Sequence, residues 1–76
     1  MNKKRRNTLN DADSLLTQAL LIIEGVLSEE QECLDNLNTN FEETELYKAI
    51  ESAVDALNDA ALQIEEAQES LQEAVS

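Results

Sequence analysis

The chain has 76 residues, a formal net charge of −12, one cysteine, one glycine, and neither histidine nor proline. That length admits one thin domain, a lone Cys33 forbids an internal disulfide, and the lack of histidine removes a common metal ligand. Seventeen acids against five bases set most of the surface against nucleic acid and anionic membranes, and favour basic protein surfaces.

Four of the five bases, Lys3, Lys4, Arg5 and Arg6, open the chain, and Lys48 is the fifth. Residues 1–7 therefore read as a disordered basic arm ahead of a strongly acidic rod. Four charges without interleaved aromatics are a weak nucleic-acid signal, so direct nucleic-acid binding is not expected. Thr8 or Asn10 can cap a first helix, with Asp11 or Asp13 in its first turn. The apolar run 15–27 is interrupted by Gln18 and Glu24 and preceded by acids, and no small-residue cleavage site follows. No secretory signal or membrane span is expected, and a free cysteine then suggests the cytoplasm.

Helix one is predicted over 8–37, with apolar residues at Leu9, Ala12, Leu16, Ala19, Ile23, Val26, Cys33 and Leu37 in a 3–4 heptad that only Glu30 breaks. Asn36, Asn38 and Asn40 favour a turn over 38–43. Thr39 with Glu42, or Asn40 with Glu43, resembles a capping box that starts helix two over 44–75. Along that helix Ile50, Leu57, Ile64 and Leu71 recur every seven residues, each followed three residues on by Ala53, Ala60, Ala67 or Ala74.

A short turn between two long helices forces an antiparallel hairpin, so the expected fold is all-α and coiled-coil-like with an alanine-rich seam. Pairing positions whose numbers add to 83 sets Leu9 on Ala74, Leu16 on Ala67 and Ile23 on Ala60, large against small. Helix one carries more apolar surface than one seam needs. Leu15, Leu20, Ile22 and Leu27 flank it, and Val54, Ala61 and Val75 flank the seam of helix two. The expected cover is a second copy, giving a homodimeric four-helix bundle; a different protein is the alternative.

Acids form two groups. Around the turn lie Glu29, Glu30, Glu32, Asp35, Glu42, Glu43 and Glu45, beside Phe41 and Tyr47. Along helix two, Glu51, Asp55 and Asp59 fall at successive i,i+4 positions, as do Glu65, Glu69 and Glu73. Each like-charge pair at that spacing costs about 0.2–0.5 kcal/mol. Two readings stand: a face kept acidic for solubility, or a surface that engages a basic protein, with the turn aromatics either packing locally or serving as anchors. Glu65, Glu66 and Glu69 share a spacing used for magnesium in all-α pyrophosphatases, but a second acidic pair is missing and the intervening Ala67 is assigned to the seam. Neither a nucleophile–base pair nor a phosphate loop is present, and Cys33 reads as a small buried hydrophobe. No catalysis and no cofactor are expected.

The stretch Glu29-Glu30-Gln31-Glu32-Cys33-Leu34-Asp35-Asn36-Leu37, followed by leucine–alanine heptads, resembles small acidic helical-hairpin proteins of phages and prophages over about residues 15–74. The resemblance implies a setting where such proteins inhibit or decoy host or defence machinery that handles nucleic acid, and it assigns no individual residue a role. The expected function is a non-enzymatic acidic binding protein. The alternative is a structural or adaptor coiled coil assembling through its apolar stripes.

Overall fold

A computed structural model describes residues 1–37 and 45–76. They form two helices, α1 over Lys3–Asp35 and α2 over Glu45–Val75, which pack against each other as a hairpin 59 × 15 × 14 Å in extent. The predicted turn over 38–43, Phe41 and the capping pairs with Glu42 and Glu43 lie outside the described residues.

The basic arm is helical. Asn2 is the N-cap of α1: its Oδ1 accepts the Arg5 N–H at 2.8 Å, and its carbonyl accepts the Arg6 N–H at 3.1 Å. A side-chain acceptor at that position satisfies a donor the first turn would otherwise leave open. Thr8, expected as a cap, sits inside the helix and its hydroxyl donates to the Lys4 carbonyl at 3.0 Å. With no proline and one glycine in the chain, nothing stops α1 between Asn2 and the asparagines near its end. There the Asn36 N–H donates to the Glu32 carbonyl at 3.0 Å and the Leu37 N–H to the Leu34 carbonyl at 3.2 Å, tightening the last turn. Gln31 donates to Asp35 Oδ1 across that turn at 3.1 Å.

The antiparallel pairing is fixed by a polar layer. Gln68 Nε2 donates to Thr17 Oγ1 at 2.8 Å and, at 3.4 Å, to the Asp13 carbonyl, which centres Gln68 on position 15. The expected pairing sum of 83 is thereby met to within one residue. A small cavity of about 120 Å³ lined by Leu9, Asp13, Leu71 and Val75, with Asn10 and Gln72, marks the next layers. With Leu9 level with Val75, the first turns of α1 run past the end of α2 by about 9 Å.

The seam itself differs from the heptad reading. Half-buried or buried positions on α2 are Tyr47, Ile50, Val54, Leu57, Ala61, Ile64, Gln68, Leu71 and Val75, an unbroken 3–4 alternation. On α1 they are Leu9, Asp13, Leu16, Leu20, Ile23, Leu27, Glu30 and Leu34, continuing to Leu37. Ala12, Ala19, Ala53 and Ala60 are half-buried at the margin, whereas Ala67, Ala74, Val26 and Cys33 are exposed. Every second seam position has thus moved one residue toward the C-terminus. Area favours the shift at five of the eight moved positions: Leu20, Leu27, Leu34, Val54 and Val75 remove more apolar surface from water than Ala19, Val26, Cys33, Ala53 and Ala74 would, while Asp13, Ala61 and Gln68 follow the register the others set.

Burial remains shallow. Among the described residues only Ile50 and Val54 are buried, at 7% and 6% exposure. Among the described residues no helix is long and apolar enough to cross a membrane.

Candidate protein-binding surfaces

The seam divides the rest of the surface. Residues one position after a seam residue lie about 100° to one side of it, and residues one position before lie as far to the other. Two antiparallel helices facing each other are related by a local twofold perpendicular to their plane. Equal offsets from the two seams therefore share one broad face. An open groove confirms this for the positions after the seam: Glu24, Ser28, Gln31 and Asp35 of α1 line it together with Asn58 of α2.

That face is polar and acidic. From α1 it receives Asn10, Ser14, Thr17, Leu21, Glu24, Ser28, Gln31 and Asp35. From α2 it receives Lys48, Glu51, Asp55, Asn58, Leu62, Glu65, Glu69 and Gln72. The two leucines are 64% and 55% exposed, and their numbers add to 83, so they stand level with each other amid the acids. Leu21 and Leu62 are not marked by the heptad reading. The signal that finds them is an aliphatic residue in each of two otherwise polar columns.

The sequence-derived acids are distributed as follows. Glu51, Asp55, Glu65 and Glu69 lie on the polar face, and Asp59 and Glu73 on the adjoining outer edge of α2; all are exposed. Each i,i+4 array therefore wraps from the polar face onto the edge. Asp35 joins the polar face, Glu32 points outward, Glu29 lies on the opposite broad face, and Glu30 is half-buried in the seam. Glu45 is exposed in the first turn of α2. Glu42 and Glu43 fall outside the described residues. Among the described residues no three acids or cysteines converge as a metal site.

The charges of α1 oppose its dipole at both ends. Bases occupy the first turn, which holds no acid, and Glu32 and Asp35 occupy the last, which holds no base. Each such contact costs about 0.3–1 kcal/mol where a reversed charge would stabilise. The acids at the end of α1 are placed against the interests of the helix that carries them.

The predicted apolar stripe is split. Leu15 and Ile22 are 65% and 69% exposed, whereas Leu20 and Leu27 are half-buried seam residues. The pair Leu20 and Leu27 therefore holds the hairpin together and is not offered to another chain. Val26 takes the place beside Leu15 and Ile22, and Cys33, expected in the seam, follows it on the surface.

No protein family, curated protein or solved structure matches this chain.

Proposed function

We propose that the protein is a non-enzymatic acidic binding module whose carboxylates engage a basic surface on another protein. In its most concrete form it is a phage-type inhibitor or decoy of a nucleic-acid-handling defence protein, acting in the cytoplasm. The observation that carries this reading is the unrelieved charge. From residue 7 onward seventeen acids face Lys48 alone, and the arrays of α2 and the end of α1 accept a cost in helix stability. A face kept acidic only for solubility would intersperse lysines. Leu21 and Leu62 supply what a purely electrostatic surface lacks, an apolar centre rimmed by charge.

The test is retention. Proteins of a nucleic-acid-free extract are passed over immobilised hairpin and over a Glu65→Lys, Glu69→Lys, Glu73→Lys variant. Basic nucleic-acid-binding proteins held by the first, released by salt and absent from the second are the expected result. An identical retained set on both would sink the electrostatic reading.

The exposed Leu15, Ile22 and Val26 favour a second reading, a structural or adaptor coiled coil that assembles through this stripe, its acids serving solubility. Under it, charge reversal leaves function intact and polar substitution of Leu15 and Ile22 abolishes it.

A further inference from the structure

Opposite the acidic face lies a broad face without charge over most of its length. It is built from the residues one position before each seam residue: Ala12, Leu15, Ala19, Ile22 and Val26 on α1, then Glu29 and Cys33. On α2 the same offset gives Leu46, Ala49, Ala53, Ala56, Ala60, Gln63, Ala67, Ser70 and Ala74. In a chain of net charge −12, α2 presents no ionisable group along this column from Ala49 to Ala74, and α1 none from Ala12 to Val26. Four large exposed aliphatics, Leu15, Ile22, Val26 and Leu46, lie on it. Of the alanines that the heptad pattern places inside the hairpin, Ala67 and Ala74 are exposed here, and Ala12, Ala19, Ala53 and Ala60 line the edge of this face half-buried.

We propose that this face closes on the same face of a second copy, with α1 of each protomer lying over α2 of the other. Three observations select that occupant. First, the face is self-complementary in shape. A twofold axis parallel to the rods sets the large column of α1 against the small column of the partner's α2 at equal height. Leu15 then enters between Ala67 and Ser70, Ile22 between Ala60 and Gln63, and Val26 between Ala56 and Ala60. The knobs and holes of a helix bundle are thereby matched on both sides of the interface at once. The alternative twofold, across the rods, stacks alanine on alanine and Ile22 near its own copy, leaving one side too close and the other too wide.

Second, there is surface to cover: the uncharged column of α2 from Leu46 to Ala74 is about 42 Å long at 1.5 Å per residue. The chain exposes 5712 Å², some 1,000 Å² more than the ~4,650 Å² of a compact monomer of its mass. Third, like-charged copies approach most readily where charge is absent, and among the described residues this is the broad face that permits it. The acids remain outside, so the dimer doubles the acidic surface without covering it. Self-association stands or falls independently of what the acids bind.

The experiment is sedimentation equilibrium of the full chain at several concentrations, with circular dichroism of every variant. The wild type is expected to be a dimer. Ile22→Glu should weaken it by about 30-fold or more, the effect of a hot-spot truncation, with helicity kept. Ala56→Leu, which fills the hole for Val26 on an exposed position, should weaken it also, and Val26→Ala added to Ala56→Leu should recover part of the loss. Leu21→Glu is the control: equally exposed, on the opposite face, it should leave the mass unchanged. A monomeric wild type overturns the proposal, as does dissociation by Leu21→Glu equal to that by Ile22→Glu. No recovery in the Val26→Ala, Ala56→Leu pair overturns the crossed arrangement.

Discussion

Asp13 occupies a seam position between Leu9 and Leu16, and its Oδ1 is buried without a hydrogen-bond donor. Its carbonyl, not its carboxylate, receives Gln68. A buried acceptor left unpaired costs about 1–3 kcal/mol, so Asp13→Leu should raise hairpin stability by that order in thermal melts. A lower melting temperature would mean that the carboxylate has a partner in solution. Gly25 is the simpler case. It sits exposed in the middle of α1 with nothing within 4 Å of an added Cβ. Gly25→Ala should stabilise by about 1 kcal/mol, a shift of roughly 4–8 °C for a domain this small. The cost of Gly25 is legible in the sequence. That of Asp13 is not: with Thr8 or Asn10 taken as the cap, Asp13 reads as a favourable first-turn acid. The actual cap, Asn2, moves it a further two turns into the helix.

At the scale of elements, α1 is charged against its own dipole. Screening should relieve both ends together with the i,i+4 repulsions of α2, so helicity and melting temperature should rise as salt increases from 10 to about 200 mM. Glu32→Lys, in the last turn, should stabilise by about 0.3–1 kcal/mol at low salt and by less at high salt. A melting temperature that falls with salt would contradict this electrostatic account of the helices. The two helices and their antiparallel pairing are legible from periodicity, because the 3–4 spacing and the asparagines after Asp35 each carry a direct physical meaning. The choice of seam is not. Both helices have apolar residues at adjacent positions, such as Ala53 with Val54 and Ala74 with Val75, and a repeat length does not distinguish neighbours. Side-chain area does, and weighting Val54, Val75, Leu20, Leu27 and Leu34 by size would have moved the seam by the one residue observed. The same slip mistakes Leu20 and Leu27 for surface residues. Lysine at either position would melt the hairpin instead of separating copies of it.

The whole molecule is a rod with two unlike broad faces, one acidic with Leu21 and Leu62 at its middle, the other uncharged over most of its length with Leu15, Ile22 and Val26. That segregation is the basis for assigning the two faces different work, self-association on one and capture of a basic protein on the other. Leu21→Ser with Leu62→Ser should weaken capture while leaving both mass and helicity unchanged. Equal capture would reduce the acidic face to its charge. The most direct measurement is the affinity between the hairpin and the basic protein it retains most strongly, by fluorescence anisotropy at 50 and 200 mM salt. It is made for the wild type and for the Glu65→Lys, Glu69→Lys, Glu73→Lys variant. The wild type should lose at least about tenfold in affinity between the two salt concentrations, and the variant should bind as weakly at 50 mM as the wild type does at 200 mM. Equal affinity in all four titrations would contradict the claim that the carboxylates form the binding surface.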